Sequence, residues 1–146
     1  MSEYRSRIRV TNEPDATRSV IEASRIAREI GFSVNQAQSI STAASELVRN
    51  ILKYAGRGHL SIREIRSADG RRGIEITASD SGPGIDDVEA AMTDHFSSGG
   101  TLGLGLPGVN RMMDEMEIDT EPGRGTRVFV RKYLKPKPTG LTTPAA

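Results

Sequence analysis

Two amphipathic helix patterns followed by two hairpin signals constrain the fold of this chain more than any other feature. Pro14 favours a helix start at Asn12 or Glu13, and Gly31 is suited to cap the end of that helix. Ser33 can cap a second helix, which ends at Gly56. Both helices repeat apolar residues every three or four positions, in the stripes Val20, Ala23, Ala27, Ile30 and Ala37, Ile40, Ala44, Leu47, Ile51. Each stripe requires a sheet or another helix to cover it.

The strand patterns supply that sheet. A first strand is predicted over 5–10, and strands over 60–66 and 73–79 flank Asp69-Gly70, which is a strong hairpin signal. A second hairpin pairs 117–120 with 126–133. The sequence therefore predicts an α+β fold, in which a single-layer mixed β-sheet is covered on one face by helices.

The rest of the chain divides into a third helix, a lid and a tail. Residues 106–116 form a helical pattern, 86–92 fit a short helix, and 93–102 are rich in Ser and Gly and are expected to be mobile. The Pro- and Thr-rich residues 135–146 are expected to be a disordered tail. We therefore expect one domain over residues 1–134.

Composition excludes several classes of function. The formal net charge is +1 and aromatic residues make up 4% of the chain, which argues against a nucleic-acid-binding platform. The absence of cysteine excludes disulfides, thiolate metal sites and a cysteine nucleophile. No apolar run is long enough to cross a membrane, so we expect a soluble, cytoplasmic protein with no membrane partner.

Glu46, Asn50 and Lys53 share one face of the second helix, because residues three and four positions apart are neighbours on a helix. A carboxylate can accept a proton from an attacking hydroxyl, and an amide oxygen can coordinate Mg²⁺. The alternative is that these three residues are merely the solvated side of an amphipathic helix.

Asp80 lies where the strand 73–79 runs into the turn Asp80-Ser-Gly-Pro-Gly84. An ionised aspartate only accepts hydrogen bonds, so it suits the exocyclic amine of adenine. Gly82 and Gly84 would let a ring approach the backbone, and Ile85 could pack against it. The alternative is an ordinary loop, since Asp, Gly and Pro are common turn residues.

The glycine run from Gly99 to Gly108 contains a literal G-x-G-x-x-G at Gly103, Gly105 and Gly108. A dinucleotide fold is rejected, because no strand precedes the run and too little chain follows it. We interpret the run as a flexible lid that ends at a helix N-terminus, where phosphate is favoured. The alternative is a glycine hinge that binds no ligand, and no P-loop signature is present.

Taken in order, these motifs resemble the Bergerat-fold ATP-binding superfamily of gyrase, Hsp90 and histidine kinases. The four matching stretches are Glu46-Leu-Val-Arg-Asn50, Asp80-Ser-Gly-Pro-Gly84, Gly103-Leu-Gly-Leu106 and Gly125-Thr126. Within that superfamily the chain looks most like the RsbT-type switch kinases of bacterial stressosomes. That family phosphorylates a serine or threonine of a STAS-domain protein and, when released, activates a PP2C-type phosphatase.

The resemblance implies ATP and Mg²⁺ as cofactors and a role for each motif. Glu46 would be the general base and Asn50 the Mg²⁺ ligand, with Lys53 a candidate for a phosphate contact. Asp80 would bind adenine with support from Thr126, and the nucleotide pocket would be shaped by Gly82, Gly84, Ile85, Gly103, Leu104, Gly105 and Leu106. Two alternatives remain open, namely an anti-sigma-factor kinase that sequesters a sigma factor and a mainly non-catalytic nucleotide-dependent binding module.

Overall fold

A computed structural model describes residues 4–85, 88, 92 and 105–136. The chain order of its elements is β1 (Tyr4–Val10), α1 (Glu13–Ile30), α2 (Val34–Asn50), a π-helical turn (Ile51–Ala55), β2 (Gly58–Arg66), β3 (Arg72–Asp80), α3 (Gly105–Met112), β4 (Glu115–Glu121) and β5 (Gly125–Tyr133). The predicted strands and the first two helices are therefore confirmed, with ends that differ by one or two residues. The exception is the end of the second helix, where residues Ile51–Ala55 form a π-helical turn.

The predicted caps define both long helices. The Asn12 side chain accepts a hydrogen bond from the Asp15 N–H at 2.9 Å. Ser33 and Gln36 form a reciprocal capping box at the start of α2, which satisfies two N–H groups that the helix itself leaves unpaired. Gly31 has φ 122° and donates its N–H to carbonyls of the last turn of α1. Local sequence is thus sufficient to set these boundaries.

The five strands form one sheet in the order β1-β2-β3-β5-β4, and every neighbouring pair is antiparallel. The expectation of a mixed sheet was wrong in this respect. The segment from Gly105 to Met112 returns the chain to the far edge, so that β4 and β5 form a hairpin and β5 pairs antiparallel with β3. The α+β class is confirmed.

The helices cover one face of this sheet. Side chains on that face pack with the helix stripes into a single core, and they include Ile8, Val10, Leu60, Ile62, Ile74, Ile76, Val128 and Val130. We call the opposite surface the open face; it carries the alternate residues of each strand, such as Arg9, His59 and Arg127, which are exposed. Period-two alternation in the strands explains both surfaces.

Two helix details differ from the prediction. The third helix ends at Met112, not at Met116, because the Asp114 N–H already donates to the Arg131 carbonyl at 2.8 Å and Met116 lies in β4. In α1, Val20 is only partly buried, whereas Ile26 is buried completely. A spacing of three to four residues leaves the position of the stripe uncertain by about one residue.

Several predictions fall on parts of the chain that the structure does not describe. Residues 93–102, which were predicted to be mobile, lie outside the described residues, as does the tail from 137 onward, so the domain boundary at 134 stays a prediction. Of the predicted helix 86–92, only Val88 and Met92 are described, and the Met92 N–H donates to the Val88 carbonyl at 3.0 Å. Among the described helices, none combines the length and apolar character that crossing a membrane requires.

Candidate functional site

The polar column of α2 runs from the interior to the surface. Glu46 is buried with 6% of its surface exposed, Asn50 is half-buried, and Lys53 is exposed. The interpretation of this column as a solvated face was wrong for Glu46, since glutamate is almost never buried without a partner or a function. Lys53 Nζ lies 5.2 Å from the centre of the Tyr54 ring.

The Glu46 carboxylate lies against the start of α3. Its Oε2 accepts a hydrogen bond from the Gly105 N–H at 3.4 Å, and its Oε1 lies 3.6 Å from Nη1 of Arg49. The N–H groups of a first helical turn have no partner within the helix, so a carboxylate there is stabilised. The first and third motifs therefore meet in space, although 59 positions separate Glu46 from Gly105.

The last turn of α2 widens into a π-helical turn, Ile51–Ala55, before Gly56 reverses the chain with φ 83°. Such turns are frequent at functional sites. This one presses Ala55 against the turn after β3, because a Cβ placed on Gly82 would lie 2.7 Å from the Ala55 Cβ. Only glycine at position 82 allows this approach, and it brings the first and second motifs into contact.

Asp80 ends β3 and is half-buried. Its Oδ1 accepts the Gly82 N–H at 2.9 Å, which closes an Asx turn. Its other oxygen, Oδ2, accepts no hydrogen bond from the described part of the chain and can therefore serve a ligand. In the sheet, Asp80 is paired with Thr126 of β5.

Two glycines allow the turn after Asp80 and the β4–β5 hairpin to pack together. Gly84 has φ +80°, and a Cβ there would lie 2.5 Å from the Glu121 carbonyl oxygen. Gly125 has φ +120°, and a Cβ there would lie 2.1 Å from the Asp80 carbonyl oxygen. Both distances are shorter than any van der Waals contact, so neither position tolerates a side chain in this arrangement.

Thr120 joins these pieces and was missed by the sequence analysis. Its Oγ1 accepts the Ile85 N–H at 2.9 Å and lies 2.9 Å from the Thr126 Oγ1 and 3.1 Å from the Gly125 carbonyl. The available signal was the alternation of Met116, Ile118 and Thr120, which places Thr120 on the helix-covered side of β4. The hydroxyl thus fixes the turn that follows Asp80.

The structure describes only part of the predicted glycine-run residues. Gly103 and Leu104 lie outside the described residues. Gly105 opens α3 with φ +65°, and Leu106 is 7% exposed and belongs to the core. The described residues contain no group of three or more His, Asp or Glu side chains that could hold a metal ion. Any Mg²⁺ beside Asn50 would therefore need water or substrate oxygens as its other ligands, which is the coordination that Mg²⁺ prefers.

Comparison with known proteins gives the family that this chain matches. Residues 10–132 match the model of the histidine kinase-like ATPase domain family. The chain is 41% identical over 128 residues to the serine/threonine-protein kinase RsbT of Bacillus subtilis, a match that spans 88% of this chain and 96% of the relative. It is 33% identical over 120 residues to the anti-sigma F factor of Caldanaerobacter subterraneus, covering 80% and 82% of the two chains.

Solved structures support the same fold. A crystal structure of the RsbU and RsbW domains of Rv1364c from Mycobacterium tuberculosis aligns with a TM-score of 0.59 at 16% identity, covering 90% of this chain and 33% of that one. The mycobacterial sensor histidine kinase MprB aligns with a TM-score of 0.53 at 17% identity, covering 88% and 96%. At such identities the likeness concerns the fold alone.

Proposed function

The chain belongs to the histidine kinase-like ATPase domain family and is a relative of RsbT, and from this premise we propose that it transfers the γ-phosphoryl group of ATP to a serine or threonine of a STAS-domain protein. The serine/threonine kinase activity follows from the extent of the RsbT match. The acceptor protein and the role of each residue are our proposal. The observation that carries these roles is the buried Glu46 carboxylate at the start of α3.

Glu46 is the general base in this proposal. Its carboxylate accepts the proton of the acceptor hydroxyl as that oxygen attacks the γ-phosphorus in line. The Gly105 N–H and the Arg49 guanidinium orient the carboxylate before substrate arrives. A docked partner holds its hydroxyl beside this carboxylate, which makes the transfer step effectively unimolecular and favours that hydroxyl as the nucleophile.

The adenine end of ATP is assigned to the turn after β3. The free Oδ2 of Asp80 accepts the exocyclic amine of adenine, while Oδ1 keeps the turn closed through Gly82. Ile85 contributes apolar surface beside the base, and its N–H is held by Thr120. Thr126 supports this arrangement through its hydrogen bond to the Thr120 hydroxyl.

Asn50 is the proposed protein ligand for Mg²⁺, one helical turn beyond Glu46. Its half-buried amide suits an ion that keeps several waters and takes its remaining ligands from phosphate oxygens. Bound there, Mg²⁺ would neutralise charge on the transferred group. Exposed Lys53 lies a further turn along the helix and is a candidate for a phosphate contact. The glycine run through Gly103 and Gly105 would close over the phosphates.

The partners are proposed from the likeness to RsbT. A STAS-domain protein supplies the acceptor hydroxyl, and a PP2C-type phosphatase is activated when the kinase is released from it. This cycle would operate in the cytoplasm, as a stressosome pathway does. The anti-sigma F factor relatives agree with a partner-switching context but do not identify either partner.

The test combines phosphoryl transfer with nucleotide binding. With labelled ATP and a purified STAS-domain protein, Glu46→Gln should lower the rate of transfer by roughly 100-fold or more while ATP affinity stays near that of the parent. Asn50→Ala should weaken Mg²⁺-dependent ATP binding itself. Glu29→Gln, an exposed glutamate of α1, is the matched control and should change neither quantity. Full transfer by Glu46→Gln would contradict the assignment of the base.

A second candidate function is sequestration of a sigma factor, which the anti-sigma F factor relatives at 31–33% identity favour. Co-purification of the chain from its host would separate the two functions. Recovery of a sigma factor in place of a STAS-domain protein or a phosphatase would decide for the second. If ATP binds but no partner is phosphorylated, the chain is a nucleotide-dependent binding module.

A further inference from the structure

The open face of the sheet is organised in three rows that cross all five strands. Strand register defines each row, since residues paired across neighbouring strands point to the same side. From β1 to β4, the first row is Arg9, His59, Ser79, Arg127, Asp119; the second is Arg7, Ser61, Thr77, Phe129, Glu117; and the third is Tyr4, Arg63, Glu75, Arg131, Glu115. The first row lies beside Asp80, and the third lies at the opposite end.

The third row, which we call the ionic row, satisfies its own charges. Glu75 is only 3% exposed and binds Nε of Arg63 at 2.6 Å and Nε of Arg131 at 2.7 Å. Arg131 continues to Glu115 at 3.3 Å and to Glu117 at 3.2 Å. These contacts cover this end of the open face with the protein's own side chains, so it has little charge left for a partner.

The other two rows and Arg57, which directly precedes β2, differ in this respect, and we call them together the arginine half. Across residues 4–85, 88, 92 and 105–136, Arg9 and Arg57 form no ion pair. Within the same residues, Arg7 and Arg127 have only cation–π contacts, to Tyr4 at 4.5 Å and to Phe129 at 5.9 Å. Most other arginines of the described chain have a carboxylate partner. The four arginines without a carboxylate partner all contribute to the lining of one concavity.

That concavity has a volume of about 960 Å³ and a floor of small hydroxyl side chains, Ser61, Thr77 and Ser79. Arginines stand on both sides of the floor, since Arg9 on β1 and Arg127 on β5 are separated by three strand spacings, or about 14 Å. Hydroxyls can pair with a peptide backbone, and guanidinium groups bind carboxylates in a bidentate manner. The shape and chemistry therefore suit a polypeptide that carries acidic side chains.

A nucleic acid fits the same surface less well. Asp119 and Glu121 line the far side of the concavity, where they would repel a continuous phosphate backbone. Within the described residues, the rings that line the concavity and could stack on bases are those of Tyr4, His59 and Phe129, and Tyr4 already contacts Arg7. Localised carboxylates on a polypeptide can pair with Arg7 and Arg9 on β1, at the opposite edge of the sheet from these two acids, and only a carboxylate on Arg127 would lie beside Asp119.

We propose that the arginine half is a docking surface for an acidic segment of a partner protein, whose carboxylates pair with Arg7, Arg9 and Arg127. This surface lies on the side of the sheet opposite α2, so it is separate from the phosphoryl-transfer site around Glu46. At one edge the concavity reaches Asp80, Thr120 and Thr126 of the proposed adenine site, so ATP affinity is the measurement that distinguishes docking on the arginine half from occupation of the nucleotide site. The binding is electrostatic and weakens as salt is added.

The test uses the full chain and a labelled peptide in which Glu alternates with Ala and Ser, with the same peptide carrying Gln in place of Glu as its control. Fluorescence anisotropy should detect binding of the Glu peptide only, and the affinity should fall as ionic strength rises. The double variant Arg9→Glu/Arg127→Glu should weaken that binding by roughly tenfold or more. Arg66→Glu changes an exposed arginine of the same sheet outside the concavity and should leave the affinity unchanged.

ATP affinity, measured on the same samples, separates this proposal from the proposed kinase activity, since both variants should bind ATP normally. If the charge reversals disturb folding, Arg9→Gln/Arg127→Gln should still show a smaller loss of peptide affinity. Equal binding of the two peptides, or equal effects of Arg66→Glu and the double variant, would overturn the proposal. So would arginine-dependent binding to a DNA oligonucleotide but not to the peptide, or self-association that the double variant abolishes.

Discussion

The substitution Glu75→Gln tests how a buried charge stabilises the centre of the sheet. The Glu75 carboxylate is 3% exposed and contacts Arg63 at 2.6 Å and Arg131 at 2.7 Å. Removing the negative charge leaves two guanidinium groups close together without their shared partner. Breaking a buried ion pair in this way costs about 3–5 kcal/mol. Both arginine side chains retain some exposure, at 35% and 21%, so we expect the lower end, about 3 kcal/mol.

The pH dependence of this effect has a definite sign. Burial would raise the pKa of Glu75, but the hydrogen bonds and charges of Arg63 and Arg131 outweigh it and hold the pKa below its ordinary value of 4.5. A group whose pKa is depressed in the folded state stabilises the fold above its unfolded pKa. That stabilisation is lost as pH falls through the folded value. The difference between the parent and Glu75→Gln should therefore be complete at neutral pH and should shrink below about pH 4.5.

Thermal and urea unfolding at neutral and acidic pH would measure both effects. For a chain of this size, a loss of about 3 kcal/mol corresponds to a fall in Tm of roughly 6–12 °C. Glu117→Gln is the matched control, because Glu117 also contacts Arg131, at 3.2 Å, but its side chain is 64% exposed. It should cost less than about 1 kcal/mol. Equal losses for the two variants, or a Glu75→Gln deficit that does not shrink on acidification, would refute the reasoning.

Two further substitutions, each with a matched control variant, test how the turn that follows Asp80 is built. Gly125→Ala should reduce ATP affinity by roughly tenfold or more, because its Cβ would lie 2.1 Å from the Asp80 carbonyl oxygen. Gly123→Ala is the control, because Gly123 has φ +82° but no atom lies within 4 Å of the added Cβ. It should lose about 1 kcal/mol of stability in urea unfolding, and calorimetric titration of both variants should show normal ATP binding for this one alone. Thr120→Val should cost about 1–3 kcal/mol in urea unfolding and weaken ATP binding, because the Ile85 N–H loses its acceptor, whereas Thr120→Ser should retain both properties. A Thr120→Val protein with unchanged stability would contradict the role given to this hydroxyl.

The parts of the fold that depend on local sequence were predictable. Asn and Ser just before an apolar periodic segment are typical helix N-caps, so the starts of both helices could be predicted from the sequence near Asn12 and Ser33. The order of the strands could not be predicted in this way, because it depends on which strand edges pair after the chain has collapsed. That is why an antiparallel arrangement of β3 with β5 was not foreseen.

The candidate site shows the same division between local and non-local causes. The spacing of Glu46 and Asn50 on α2 was evident from the sequence, but the burial of Glu46 depends on α3 packing against it. Thr120 was missed because its hydrogen bonds join three segments that meet only in the folded chain. The three rows of the open face likewise require the register of four strand pairs, which no single stretch of sequence specifies.

The turn that follows Asp80 and the arginine half both involve the ends of β3 and β5. Substitutions can nevertheless affect one without the other. Successive residues of a strand point to opposite faces, so Thr126 faces the helix-covered side while Arg127 faces the open side. The Thr126 hydroxyl contacts Thr120 at 2.9 Å, and the only aromatic contact of Arg127 among the described residues is with Phe129. A charge reversal at Arg127 therefore leaves the hydrogen bonds around Ile85 intact. If Arg127→Glu nevertheless lowered ATP affinity as strongly as Gly125→Ala, the two faces would be coupled through the strand ends, and independent binding at the two sites would have to be abandoned.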